Sequence, residues 1–341
     1  MNRSSTRRLL LAGALLGAAA CTPVTPLDTT QLPAIESLIH EIDRDRLMLT
    51  VSDLVATHKS EAPLDCALLN LGVNATLYPE LCNLTHQKAG EMMSRRLELL
   101  GLPVTRHVAA KDVLTVSNVI AEHKGVKYPE EVILISAHFD AYYAAADDNS
   151  TGVAAVLELA RVLSKYKFDR TLRFVGFDLE ELAYVGSSRY VESLGDNNDV
   201  VLAVNFDSLG YYNDAPGSQQ GSLGLPAPSQ GNFLTVLGNE NSLERVDEIT
   251  ALNEAFDSII LFGIVTNSLG NNAGNAPLLR SDHGPFWLRG SQAVFITDTA
   301  YFRNPGYHNP KDTIDLLDPV RFHKAVQISA ASIAYWAGGP R

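Results

Sequence analysis

The stretch LISAHFDAYYAAADDNSTG (134–152) gathers His138, Asp140, Asp147 and Asp148 within eleven residues. An imidazole and several carboxylates can ligate a divalent cation, but turns and helix starts also collect Asp and Asn, so this stretch alone leaves both readings open. Three further segments carry the same residue types. Glu180 and Glu181 follow the apolar run TLRFVGF (171–177), Asp207 follows DVVLAVNF (199–206), and His308 lies in the Pro/Gly-rich segment YFRNPGYHNPKD (301–312). Taken singly, each reads as a turn residue or a solvated helix start. Taken together, two histidines and several carboxylates form a donor set that suits zinc, and no cysteine-rich set suggests a structural zinc site instead.

The elements that must position these residues are legible as periodicities. TVSNVIAEH (115–123), EEVILISAH (130–138), 171–177, 199–206, FLTVLG (233–238) and AVFIT (293–297) read as strands, whereas 152–164, 184–194, 242–256 and 319–336 carry apolar residues at helical spacing. Ahead of them, 35–57 reads as one helix. HQKAGEMMSRRLELLG makes another, with Ala89, Met93, Leu97 and Leu100 on one face and Gly101 as its stop. Strands alternating with helices predict a three-layer α/β/α sandwich around a mostly parallel mixed sheet. Ligands of such sheets bind outside the carboxyl ends of the strands, so 138–140, 180–181 and 207 are expected at one edge, joined there by the His308 loop. No G-x-S-x-G elbow is present, which argues against a serine hydrolase.

Composition bounds the alternatives. With 46% hydrophobic and 19% charged residues the chain can bury a full core, and a net charge of -12 without a basic run after residue 20 argues against a nucleic-acid partner. Residues 1–20 combine Arg3, Arg7 and Arg8 with an apolar stretch too short to span a bilayer, and read as an export signal. Cys21 follows Ala18–Ala20 in a pattern that resembles a lipobox, so lipidation at Cys21 and a membrane-anchored lipoprotein, periplasmic or at the cell surface, are expected. The Arg7-Arg8 pair leaves twin-arginine and general export both open. Residues 21–34 then form a Pro/Thr-rich tether and 35–341 the catalytic domain. In an oxidising compartment Cys66 and Cys82 are expected to close a disulfide, worth roughly 3 kcal/mol.

The ordered motifs SNVIA (117–121), AHFD, DDNSTG, FDLEELAYVGS, VNFDSLG, RSDHGPF and YHNPKDT span about two hundred residues, and in this order they resemble the family-28 metallopeptidases, the two-zinc aminopeptidases of secreted and lipoprotein type. The resemblance implies two zinc ions. His138 and Asp207 would hold one and Glu181 and His308 the other, with Asp148 bridging both and the Asp148–Asn149 peptide cis. Asp140 would accept a hydrogen bond from the His138 ring. Glu180 would be the general base, Tyr307 a donor to the oxyanion and Arg280 a substrate contact, while Asp147 would be no ligand. Asp282 and His283 would support the site, with a satisfied loop histidine as the equal alternative for His283. The implied activity is release of N-terminal residues from peptide substrates. Two alternatives stand beside it: a single-zinc glutaminyl cyclase on the same fold, and a non-catalytic periplasmic binding protein.

Overall fold

Residues 132–137 form an unbroken run of apolar and small side chains, and a strand of this kind must be covered on both faces. A computed structural model describes residues 7–10, 26–59, 84–111, 114–196, 198–220, 228–266 and 276–341, and puts this strand near the middle of a nine-stranded sheet. The strands are β1 (Arg7–Leu10), β2 (Val104–Lys111), β3 (Leu114–His123), β4 (Tyr128–His138), β5 (Arg170–Phe177), β6 (Val200–Phe206), β7 (Leu234–Asn239), β8 (Leu261–Thr266) and β9 (Ala293–Thr297). Their spatial order is β1-β8-β7-β9-β6-β4-β5-β3-β2. The central block β9, β6, β4 and β5 is parallel, as are β7–β8 and β8–β1. Antiparallel pairs join β2 to β3, β3 to β5 and β7 to β9. The expected mixed, mostly parallel sheet is thus present.

The helices are α1 (Leu32–Ile39), α2 (Arg44–His58), α3 (Thr85–Leu99), α4 (Ser150–Leu163), α5 (Val185–Ser193), α6 (Leu243–Phe256), α7 (His283–Leu288) and α8 (Pro319–Trp336). Alternation along β4 sends Ile133 and Ile135 into one core with α1–α4, α6 and α8, while Val132 and Leu134 meet Tyr190 of α5 and Phe286 and Trp287 of α7 on the other face. Three layers result. Gly101, at φ +78, ends α3 as expected, and Ala89, Met93 and Leu97 are buried along its inner face.

The structure departs from the sequence reading at several elements. The helix expected over 35–57 is two helices, because the Asp43 side chain accepts from the amides of Asp45 and Arg46 and starts α2 afresh. The tether assignment also ends early. Leu27 and Leu32 pack on the core, and the Asp28 amide donates to the Tyr335 hydroxyl. Four of these strands and helices escaped the reading: β1, β2, whose Val108 faces solvent, β8, and the six-residue α7 that begins His-Gly-Pro. Arg7–Leu10 of the expected export signal lies parallel to β8 at the sheet edge. Cys21, Cys66 and Cys82, and with them the lipidation and disulfide expectations, fall outside the described residues.

His283 shows how a motif histidine can belong to the core. Its ring stacks on Phe295 at 4.3 Å, meets Trp287 edge-on, and donates from Nε2 to the Leu278 carbonyl at 2.7 Å. Burial pushes its pKa down to about 4. A histidine depressed in the folded state gives stability that is complete above its unfolded value near 6.5 and is lost as pH falls toward 4, because the unfolded chain takes up the proton first. His283→Gln should therefore flatten the unfolding free energy by roughly 3 kcal/mol between pH 6.5 and 4, relative to the parent. Denaturant titrations at a series of pH values measure the difference.

Candidate metal centre

Strand ends bring the acids and histidines together. His138 is the last residue of β4, Glu180 and Glu181 follow β5, Asp207 follows β6, and the chain after β9 returns through His308. The geometry has a definite centre. One carboxylate oxygen of Asp148 lies 3.3 Å from His138 Nε2, and the other lies 3.0 Å from His308 Nε2. On the first side Asp207 approaches His138 Nε2 to 3.6 Å, and on the second Glu181 approaches His308 Nε2 to 3.1 Å. Two groups of three donors, His138–Asp148–Asp207 and Asp148–Glu181–His308, therefore share Asp148, and within each group the donor atoms lie within 4.8 Å of one another. Glu180 stands alongside, its carboxylate 4.0 Å from His138 Nε2.

The donor atoms fit a cation better than they fit each other. Both histidine Nε2 atoms and Glu181 Oε1 are buried and find no hydrogen-bond partner of acceptable geometry, although carboxylates surround them. Burial pushes the Glu181 carboxyl up to about 8, with the charge of Asp148 adding to it and His308 opposing. Glu180 is raised well above the usual carboxylate range by burial, partly offset by His138, with Glu181, Asp207 and Asp282 repelling its charge. Burial alone would depress His308, yet Asp148 and Glu181 lift it to about 10. This excess of buried negative charge beside imidazoles is what a divalent cation neutralises, displacing protons as it binds.

Neighbouring loops fix Asp148 through its backbone. The Asp148–Asn149 peptide is cis, and Asn149 caps α4 by accepting from the Gly152 amide at 3.0 Å. The same Asn149 donates to the Phe206 carbonyl at 2.9 Å and accepts from the Ser208 amide at 3.2 Å, which clasps the end of β6 on both sides of Asp207. Asp147 is turned away from the donors. Its carboxylate accepts from the Gly210 amide at 2.8 Å and from the Asn304 side chain at 2.8 Å, and burial pushes it up to about 6. Asp312, for which the sequence offered no role, accepts from the amides of Asp147 (3.0 Å) and Asp148 (3.1 Å).

A second harness holds the β5–α5 loop. Asn118 of β3 accepts from the Asp178 amide at 2.9 Å and donates to the Gly186 carbonyl at 3.0 Å, so one side chain staples both ends of the loop carrying Glu180 and Glu181. Gly186 is obligatory there, since a Cβ would lie 2.1 Å from the Asp178 carbonyl oxygen and 2.6 Å from Asn118 Oδ1. Asp140 serves more partners than expected. The His138 ring donates from Nδ1 to the Asp140 backbone carbonyl at 3.1 Å, while the carboxylate, 3.4 Å away, accepts from the amides of Glu180 (2.9 Å) and Glu181 (3.1 Å). Asp282 is fully buried and pushed up to about 7 by its burial.

Aromatic rings line the mouth. Tyr307 stacks on His308 at 3.8 Å, and burial with the carboxylates of Asp148, Glu181 and Asp207 raises its pKa, which keeps the hydroxyl a neutral donor. Tyr301 meets Tyr307 edge-on at 6.0 Å, and the exposed Arg280 lies over Tyr301 at 5.4 Å. Arg280 thus belongs to the rim rather than the centre.

Comparison with known proteins agrees with this geometry. The model of peptidase family M28 matches residues 118–333, from Asn118 to α8. The chain is 31% identical over 232 residues to YfbL of Escherichia coli K12, covering 62% of this chain and 67% of YfbL. It is 29% identical over 219 residues to aminopeptidase YwaD of Bacillus subtilis, covering 63% of this chain but only 43% of YwaD. Among solved structures, the LapA aminopeptidase of Legionella pneumophila superposes with a TM-score of 0.66 at 18% identity, over 93% of this chain and 78% of LapA, which is a likeness of fold. With the family profile covering most of the sequence, the chain belongs to peptidase family M28.

Proposed function

We propose that this chain is a zinc-dependent aminopeptidase with a two-ion centre, His138, Asp148 and Asp207 holding one ion and Asp148, Glu181 and His308 the other. The observation that carries the reading is the division of Asp148, one oxygen facing each histidine. Zinc bound there would polarise the scissile carbonyl and lower the pKa of a water toward about 7. The remaining steps belong to the protein. Glu180, buried and raised in pKa among carboxylates, takes a proton from the attacking water and delivers it to the departing amine. The neutral Tyr307 hydroxyl donates to the oxyanion as it develops. Arg280 and Tyr301 contact the substrate at the rim.

The named relatives support exopeptidase action. YwaD and LapA carry the name aminopeptidase. A glutaminyl cyclase would need a single ion, and the two complete donor groups weigh against it. Export as a lipoprotein anchored through Cys21 stays part of this proposal. Processing there would remove β1 and leave β8 as the sheet edge. Among the described residues no helix is long and apolar enough to cross a membrane.

Glu180→Gln should keep the parent's zinc content by elemental analysis and lose about 10²–10⁴-fold in kcat on aminoacyl nitroanilides. Asn118→Ala removes both staples of the Glu180 loop and should lower kcat tenfold or more while the protein still unfolds cooperatively, since small misplacements of catalytic groups cost this much. Free aminoacyl substrates should be cleaved and their N-acetylated counterparts spared. Equal cleavage of both would defeat the aminopeptidase reading, and formation of pyroglutamate from N-terminal Gln would favour the cyclase.

A further inference from the structure

The two histidines of the centre are oriented by different means. His138 is set by a hydrogen bond from Nδ1 to the Asp140 carbonyl. His308 has no such partner, for among the described residues nothing accepts from its Nδ1, and its side chain is 28% exposed against 1% for His138. It also sits on an irregular loop at φ +53. What holds its ring is stacking. Tyr307 lies against it at 3.8 Å with an interplanar angle of 15°, and Tyr142 at 4.3 Å and 39°. At these spacings each face of an imidazole accommodates one ring, so His308 is sandwiched.

We propose that Tyr142 is a positioning residue for the Asp148–Glu181–His308 ion, its ring closing the outer face of the Tyr142–His308–Tyr307 sandwich in place of a hydrogen bond to His308. The inference rests on the two-ion reading. Tyr307 is fixed beside His308 by sequence, but Tyr142 comes from the loop after β4 that also carries Asp148, so the stack ties the bridging carboxylate's loop to the histidine it faces. The stack responds to loading. A cation on Nε2 draws electrons from the imidazole, and an electron-poor ring is held more strongly between the electron-rich faces of two tyrosines. Tyr142 meets His308 through its ring.

The test is calorimetric titration of Zn²⁺ into the chelator-stripped full chain and its variants. The parent should take up two ions. Tyr142→Phe should match it, whereas Tyr142→Leu should bind one ion with parental affinity and the other about 10–100-fold more weakly, the range typical when an outer partner of a ligand is lost. Tyr142→Gln repeats the measurement if the Leu variant does not fold. Two ions bound by the Leu or Gln variant with parental affinity, or equal weakening of both, would overturn the role of Tyr142. A parent that takes up one ion would instead overturn the two-ion reading.

Discussion

Most of the structure around the cleft answers one constraint, which is that Asp148 must present one oxygen to each of two histidines while surrounded by other carboxylates in a buried place. Such a concentration of like charge is unfavourable by itself. It is tolerated because the imidazoles, and in the proposed working state the cations, supply the opposite sign. The chain also removes the freedom of the acids to move apart. Asn149, Thr151 and Asp312 bond to backbone within or beside the 147–151 segment, and the Asp147 carboxylate ties the segment to the Gly210 amide, so Asp148 is held by its main chain rather than by its carboxylate.

The same economy governs the loop after β5. Its two consecutive glutamates face different tasks, and their separation depends on amide positions rather than on side-chain contacts. Asp140 holds both amides, Asn118 holds the loop's ends, and Gly186 leaves room for the crossing. These polar groups are buried, and each would be costly if unpaired. Paired as they are, they make the cleft wall stiff. The mouth is built differently, from the rings of Tyr142, Tyr301 and Tyr307 and the exposed Arg280.

Legibility in the sequence followed the range of the interactions. His138, Glu181 and Asp207 could be placed because each ends an apolar run whose period marks a strand, and strand ends in a parallel sheet converge. The choice of Asp148 over its neighbour Asp147 was beyond composition or spacing, and came from resemblance. Asn118 and Asp312 lay within motifs but without a role, since their partners are 60 and more than 160 residues away in the chain. Asp140 shows the opposite limit: its place beside a nearby histidine was anticipated, but its bonds to two amides of another loop were not. Helix α7 was missed because Gly and Pro in its first turn read as a loop, and the split between α1 and α2 because a capping Asp interrupts an otherwise helical pattern.

The contact of Asp312 with the amides of Asp147 and Asp148 spans 165 residues of sequence. In terms of chain growth this means that Asp148 is without this support until nearly the whole polypeptide has been made, and His308 arrives equally late. The N-terminal two-thirds of the chain lacks both His308 and Asp312 and could not assemble the complete pair of donor groups. Capture of the proposed ions would therefore wait for the last stage of folding, and on the proposed export route an unfolded chain would acquire them only after crossing the membrane.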